Sequence, residues 1–146
     1  MQERIYKYLE QLTDKDYVLA GTAALSYSGV SLCNVYMPQF YTKFKKYNGL
    51  CIGSTVQYFY KEHIDFINYV TNLGFNSHIK VPTQERALIE IIKDDFNTID
   101  EGTFLEAFRL YYIRCRKDLS KLKEVADFFK VEWSTVEYWI EESLEM

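Results

Sequence analysis

One stretch near the start of the chain combines three local signals that restrict the fold. Residues 17–20, Tyr-Val-Leu-Ala, form a β-branched and aromatic run that is typical of a buried strand. Gly21 allows a sharp turn into a helix, and the Thr22 hydroxyl can cap that helix. Ala24 lies in a small-faced helical segment that can approach a sheet closely, and Gly29 is suited to end it. A strand that turns at once into a short helix predicts an α+β domain.

The composition limits the class of protein. A length of 146 residues suits a single domain with a hydrophobic core, and 48% hydrophobic residues exclude a disordered chain. The net charge of −4 provides no general attraction to nucleic acid. Three cysteines without a CxxC spacing are typical of a reducing cytoplasm. Because no signal peptide and no run of about 18 apolar residues is present, we expect a cytoplasmic protein without a membrane span.

The first half of the chain, residues 1–82, is predicted to form a small mixed sheet with flanking helices. The patterns predict a helix in 2–12, a turn at 48–49, and strands in 35–37, 50–52, 55–60 and 78–81. Pro38 is expected to end the first of these later strands, and Pro82 to follow the last. Residues 63–73 fit either a helix or a strand, and 72–77 fit a loop.

The second half, residues 83–146, is predicted to be helical. Thr83 can cap a helix that runs to about Asp94, and another helix is expected in 103–116. A further helix is expected to begin at Asp118 or Ser120. The last helix is expected to open with a capping box, in which Ser134 and Glu137 each satisfy a backbone donor of the other.

The order of strand, Gly-Thr turn, helix and second strand resembles the core of the nucleotidyltransferases of AbiE-type abortive-infection systems. In that family the strand after a Gly-Gly-Thr-Ala turn carries an Asp-x-Asp pair that binds divalent metal. Two-metal chemistry needs such carboxylates, because the metal ions clamp the attacking and leaving oxygens. Here the predicted second strand reads Asn-Val-Tyr-Met in 34–37, and no Asp or Glu lies between Asp16 and Glu62. We therefore expect no catalytic residues, no metal site, no cofactor and no enzyme activity.

Two further segments resemble the AbiEi antitoxins. Residues 79–90, Ile-Lys-Val-Pro-Thr-Gln-Glu-Arg-Ala-Leu-Ile-Glu, are similar to the strand-to-helix junction of that family's C-terminal domain. Residues 24–29, Ala-Leu-Ser-Tyr-Ser-Gly, match its Ala-Leu-x-x-x-Gly helix. The resemblance covers roughly residues 15–143. It implies a non-catalytic antitoxin or phage-defence protein with a degenerate nucleotidyltransferase-like core, and a nucleotidyltransferase toxin or another defence-system protein as partner.

Two groups of residues are candidates for contacting that partner. The first is a basic aromatic run whose members are Phe40, Tyr41, Lys43, Lys45, Lys46 and Tyr47. Aromatic side chains beside lysines add contact area to charge, so the run is either a solvated face or a surface for an acidic partner or nucleic acid. The second group is Glu85 with Arg86, which is either a first-turn charge with a local salt bridge or a partner-facing or fold-fixing pair.

Two alternative functions remain open. Residues 123–140 resemble a helix-turn-helix of a small DNA-binding regulator, with Ala126 and Val136 at its packing positions. Its second helix carries no Lys or Arg in 134–146, but it carries Glu137, Glu141, Glu142 and Glu145. Phosphates would repel such a helix, so we expect it to serve packing or partner binding. The other alternative is a nucleotidyltransferase with displaced carboxylates, for which Glu62 and Asp65 are the candidates.

Overall fold

A mixed β-sheet followed by a helical half makes up the computed structural model, which describes residues 16–30, 38–47, 51–52, 56–74, 76–116 and 118–145. The strands are β1 (Tyr17–Ala20), β2 (Gln39–Thr42), β3 (Cys51–Ile52), β4 (Val56–Tyr60), β5 (Val70–Leu73) and β6 (Asn76–Pro82). The helices are α1 (Gly21–Tyr27), α2 (Gln84–Lys93), α3 (Glu101–Arg114), α4 (Ser120–Phe128) and α5 (Trp133–Leu144). The predicted α+β class, with helices concentrated in the C-terminal half, is confirmed.

Strand β1 lies inside the sheet, whose order is β3-β4-β2-β1-β6-β5. It runs antiparallel to β2, with Ala20 opposite Gln39, and parallel to β6, with Tyr17 opposite Ile79. Strand β4 runs parallel to β2, while β3 and β5 pair antiparallel with β4 and β6 at the two edges. Strand β1 therefore brings residues about sixty positions apart into one sheet.

The end of α1 follows the sequence prediction. Gly29 has a φ of +87°, and its N–H donates to the Ser26 carbonyl at 3.1 Å. The Val30 N–H donates to the Leu25 carbonyl at 2.9 Å, and both of these side chains are buried. This double hydrogen bond around a left-handed residue is the Schellman ending of a helix. Glycine is favoured there because a Cβ would strain that backbone conformation.

Two predicted helix caps are wrong. Helix α1 begins at Gly21 itself, with Ala20 as N-cap and no side-chain cap, because the φ of +54° at Gly21 turns the chain directly from strand to helix. The Thr22 hydroxyl is therefore not the cap. Helix α5 begins at Trp133, so Ser134 lies inside the helix, and no side chain caps the Glu132 N-cap position. By contrast, the predicted cap of α2 is confirmed, since the Thr83 hydroxyl accepts the Arg86 N–H at 3.2 Å.

The strand boundaries differ from prediction in two places. Strand β2, which was not predicted, begins directly after Pro38, since a proline can precede a strand without costing a ladder donor. Residues 61–69 have no helix or strand, and the predicted loop 72–77 is wrong at 72–73 and 76–77, which belong to β5 and β6. The predicted helix 2–12, strand 35–37 and turn 48–49 lie outside the described residues.

The two faces of the sheet are covered differently. One face contributes Tyr17, Leu19, Phe40, Tyr58 and Ile79 to a core that also contains buried side chains of all five helices, Ala24 among them. The opposite face carries a smaller cluster of Val18, Ala20 and Tyr41, packed against Phe59, Ile64 and Phe66. The segment 61–69 supplies two of those covering side chains. In the part of the chain that is described, no helix has the length and apolar character needed to cross a bilayer.

Candidate functional site

The turn after β1 is closed by a side chain from β2. The Thr22 N–H donates to Gln39 Oε1 at 3.1 Å, and Gln39 Nε2 donates to the Thr98 carbonyl at 2.7 Å. A Cβ atom at Gly21 would lie 2.7 Å from the Thr98 carbonyl oxygen and would also meet the Gln39 amide. The Gly21–Thr22 turn, β2 and the segment before α3 thus meet in one tight polar contact.

Strand β2 presents an amide and a phenol at alternate positions. Gln39 stands opposite Ala20 of β1, and Tyr41 stands opposite Val18. Because side chains two residues apart in a strand point to the same face, Gln39 and Tyr41 share one side of the sheet. Among the described strands, β2 is the next along the chain after the Gly-Thr turn, and it carries no carboxylate.

A charged network begins at Tyr41. Its hydroxyl donates to the Asp94 carboxylate at the end of α2. The Lys61 ammonium lies 2.7 Å from Glu90 Oε2 and 3.5 Å from Asp94 Oδ1. It also lies 4.5 Å from the centroid of the Tyr41 ring, within range of a cation–π interaction. Glu90 of α2 and its C-cap residue Asp94 therefore face a lysine after β4 and a tyrosine on β2.

Arg86 extends this network into the core. It is 1% exposed, and its Nε donates to the Glu90 carboxylate, which is 3% exposed. Its Nη1 donates to the Asn68 carbonyl at 2.7 Å, and its guanidinium lies 5.2 Å from the Phe129 ring centroid. The partner-binding interpretation of Arg86 is therefore wrong. The spacing of four residues places Arg86 and Glu90 on the same side of α2, which faces inward. Arg86 therefore fixes the fold.

Burial shifts the pKa of two members of this network, Asp94 and Tyr41. It raises the pKa of the Asp94 carboxyl, which the neighbouring Lys61 ammonium and Tyr41 hydroxyl only partly oppose. Burial, together with the negative charges of Asp94 and Glu90, raises the pKa of Tyr41 well above its ordinary value. The two carboxylates are matched by two cations, Lys61 and Arg86. Among the residues that the structure describes, no three His, Cys, Asp or Glu side chains form a group that could hold a metal ion.

The basic aromatic run is divided by the fold. Phe40 and Tyr41 are buried on opposite faces of β2, so the prediction that they form a contact surface is wrong. Strand alternation sends them to two faces that are both covered. Lys43, Lys45 and Lys46 are exposed in the segment that follows β2. Tyr47 ends the short 3₁₀ turn Lys45–Tyr47, and its side chain lies outside what the structure describes.

Two further predicted site residues, Glu85 and Pro82, lie against other parts of the fold. Glu85 is half-buried in the first turn of α2, beside the Tyr111 hydroxyl. Burial, and then the hydrogen bond between Tyr111 and Glu85, raise the pKa of the Tyr111 hydroxyl. Pro82 is buried as the last residue of β6, opposite Val70.

The two candidate displaced carboxylates have different surroundings. Glu62 is exposed on the segment after β4. Asp65 Oδ1 accepts the N–H groups of Ile67 at 2.8 Å and Asn68 at 2.7 Å, and Oδ2 accepts the Asn68 side chain at 2.8 Å. The Asp65 carboxylate therefore shapes its own loop.

Helices α4 and α5 form the helix pair that the sequence predicted. They are joined by residues 129–132, with Ala126 and Val136 buried. Lys130 has a φ of +59°, and the Val131 N–H donates to the Ala126 carbonyl at 2.8 Å, which ends α4 sharply. Glu137, Tyr138 and Glu141 are exposed on α5. The surface that would face a DNA groove is acidic.

Sequence reasoning missed the central members of the site: Gln39, Lys61, Glu90, Asp94 and Thr98. Only the four-residue spacing of Arg86, Glu90 and Asp94 marks one side of α2 in advance. The partners of these residues come from β2 and from the end of β4, and such contacts between distant segments leave no local pattern. Comparison with family models, with curated proteins and with solved structures gives no significant match. The function has therefore to be inferred from the chain's own residues and contacts.

Proposed function

We propose that the chain is a non-catalytic, AbiEi-like antitoxin or related phage-defence protein that acts against or with a nucleotidyltransferase toxin. The observation that carries the proposal is the pair Gln39 and Tyr41 on β2, the next described strand after the Gly21–Thr22 turn. In the enzymes that the chain resembles, that strand carries the metal-binding Asp-x-Asp. The sheet is, in this proposal, a nucleotidyltransferase-like core without its metal ligands.

The hydrogen bonds of the two replacing side chains support a non-catalytic role. The Gln39 oxygen accepts the Thr22 N–H, and the Tyr41 hydroxyl donates to Asp94. The carboxylates nearest to Tyr41 are Asp94 and Glu90, and both contact the Lys61 ammonium. A two-metal mechanism needs carboxylates that are free to take cations, whereas these are already neutralised by protein side chains.

The exposed lysines after β2 supply the contact surface in this proposal. Lys43, Lys45 and Lys46 are exposed, and the half-buried Phe44 ring lies 5.7 Å from the Lys43 ammonium. Such a patch steers an acidic partner towards the end of β2 and makes the association rate depend on salt. In this proposal the three lysines replace the larger basic aromatic run as the contact surface, since Phe40 and Tyr41 are buried in the sheet.

A transfer assay tests the absence of catalysis. The purified protein is incubated with each labelled NTP, Mg²⁺ or Mn²⁺, and a tRNA pool, with an active nucleotidyltransferase as the positive control. We expect no labelled RNA. Labelling that disappears in Glu90→Gln or Asp94→Asn would show that these carboxylates catalyse transfer, and would overturn the proposal.

A growth assay tests the antitoxin role. Where a nucleotidyltransferase gene adjoins this one, its product is expressed from an inducible promoter, with and without this chain. We expect the chain to restore growth without lowering the level of the toxin protein. Continued growth arrest at equal expression of both proteins would contradict the proposal.

The second candidate function is a small DNA-binding regulator, which the α4–α5 helix pair and its left-handed turn residue Lys130 favour. The exposed Glu137 and Glu141 oppose it, because a recognition helix must approach phosphates. Fluorescence anisotropy with its own promoter DNA and with a scrambled duplex distinguishes the two functions. Sequence-specific binding at physiological salt would favour the regulator.

A further inference from the structure

The turn between α4 and α5 forms a small cleft. It has a volume of about 260 Å³ and is lined by Asp127, Lys130, Val131, Glu132 and Trp133. Sites for small molecules usually measure about 300–1,000 Å³. The cleft is therefore better matched to one or two amino-acid side chains than to a cofactor.

The face of α5 that begins at the cleft residue Trp133 carries negative charge, because Glu137 and Glu141 follow Trp133 at spacings of four residues. Glu137 and Glu141 are exposed one helical turn apart, and Glu132 is exposed at the N-cap. Within the described part of the chain, none of the three forms an ion pair. Glutamates four residues apart repel each other. A cation placed on this face would relieve that repulsion.

The charge at the end of α5 is unfavourable for a second reason. Glu141 and Glu145 lie at the C-terminal end, where the helix dipole favours cations, and the last turn has no basic residue. The helix dipole and the repulsion between Glu137 and Glu141 therefore both favour a positively charged partner. A negatively charged partner such as DNA would add to the repulsion.

Aromatic groups accompany these charges. Tyr138 is 53% exposed between the two glutamates, and the half-buried Trp133 lines the cleft. The Lys123 ammonium lies 5.9 Å from the Trp133 ring centroid, so that ring already faces a cation. Aromatic rings beside carboxylates attract side chains that combine an apolar stem with a positive charge.

We infer that the α4–α5 helix pair is a docking surface for a cationic, amphipathic protein segment. One apolar side chain of that segment enters the cleft beside Val131 and Trp133, and its lysines or arginines pair with Glu132, Glu137 and Glu141. The surface is separate from the lysines after β2, so it does not depend on the proposed function. Charge complementarity selects this occupant over a nucleic acid.

The probe for this inference is a short synthetic amphipathic helix of leucine and lysine. Its partner peptide has serine in place of every leucine and the same charge. Binding to the full chain is followed by tryptophan fluorescence and calorimetry, and the contact is located from amide chemical shifts. We expect the leucine peptide to bind at least about tenfold more tightly than the serine peptide, with the first shifts in residues 127–141.

Charge reversal supplies the matched variants. Glu137→Lys with Glu141→Lys should weaken binding of the leucine peptide by at least about tenfold, while Glu62→Lys with Glu106→Lys, an equal charge change at exposed sites elsewhere, should leave it within about twofold. The inference is overturned if the two peptides bind equally, if both double variants weaken binding alike, or if shifts appear first outside 127–141. Tighter binding of a DNA duplex than of the leucine peptide would overturn it too.

Discussion

Gln39 joins strand β2 to the Gly-Thr turn by accepting the Thr22 backbone N–H at 3.1 Å while donating to the Thr98 carbonyl at 2.7 Å. We expect Gln39→Glu to lower the free energy of unfolding by about 1–3 kcal/mol at neutral pH, because a carboxylate cannot donate to Thr98. The loss should shrink when the new carboxyl is protonated. Urea unfolding at pH 7 and at pH 4 measures both effects.

The control for that variant is Gln57→Glu. Gln57 stands opposite Gln39 on β4, and it forms no side-chain hydrogen bond among the described residues. Gln57→Glu should lower the free energy of unfolding by no more than about 0.5 kcal/mol at both pH values. Equal losses for the two variants would show that the bridge to Thr98 contributes nothing specific.

Gly21 should be far less tolerant of a side chain than Gly74. Both have positive φ values, +54° and +55°, but a Cβ at Gly21 meets Gln39 and Thr98 while one at Gly74 meets nothing within 4 Å. We expect Gly74→Ala to cost about 1–2 kcal/mol from backbone strain alone. Gly21→Ala should cost about 2–5 kcal/mol, since overpacking is added to that strain. Thermal and urea unfolding of the two variants measure the difference, and equal costs would contradict the tight approach.

Loss of Arg86 should be among the most damaging single changes in the chain. Arg86→Met leaves the buried Glu90 without its closest cation, so we expect a cost of about 3–5 kcal/mol. The double variant Arg86→Met/Glu90→Met removes the stranded charge and should recover most of that loss. Urea unfolding of the single and double variants checks this. A double variant no more stable than the single one would show that Arg86 acts through its hydrogen bond to Asn68 and its contact with the Phe129 ring instead.

The stability contributed by Asp94 should fall as pH rises. Burial raises its pKa in the folded chain above its value in the unfolded chain, so the folded protein binds the Asp94 proton more tightly. That contribution is fully present below the unfolded pKa, about 3.9, and is lost as pH rises through the folded pKa. The free energy of unfolding of the wild type minus that of Asp94→Asn should therefore decrease from pH 3 towards neutrality. A difference that increases over that range would mean that Lys61 outweighs burial.

The lysines after β2 should matter for function and not for folding. The triple variant Lys43→Glu, Lys45→Glu and Lys46→Glu should keep the native Tm within a few degrees, because all three side chains are exposed. In the growth assay against the toxin, we expect it to lose protection.

The matched control reverses three other exposed charges, with the variants Arg109→Glu, Arg116→Glu and Lys121→Glu. It has the same change in net charge and should protect like the wild type. Full protection by the first triple variant, at wild-type Tm, would leave those lysines as an ordinary solvated face.

The features that sequence predicted correctly are those whose cause lies within a few residues. Gly29 ends α1 through bonds to Leu25 and Ser26, and Thr83 caps α2 through the Arg86 N–H. The cap expected at Thr22 failed because the helix begins one residue earlier, at Gly21, and it is the distant Gln39 side chain that accepts the Thr22 N–H. A side chain seventeen residues away leaves no trace in a local pattern.

The candidate site was predictable only in part, for a similar reason. Arg86 and Glu85 were recognised as a charged pair, but whether such charges face solvent or the core depends on what the fold places over them. The carbonyl of Asn68 and the ring of Phe129 cover Arg86, and neither is near it in sequence. The sequence pattern places Tyr41 in a basic run that could be exposed, but strand pairing buries it against Ile64 and Phe66.

The parallel pairing of β1 with β6 sets the order in which a growing chain can fold. Strand β1 can meet β2 early, but its other edge has no neighbour until residues 76–82 have been made, some seconds later at about 5–20 residues per second. An unpaired, apolar strand edge is a template for other chains. Slower translation of residues 43–75 should therefore lower the soluble yield without altering the finished protein, a liability that arises from topology alone.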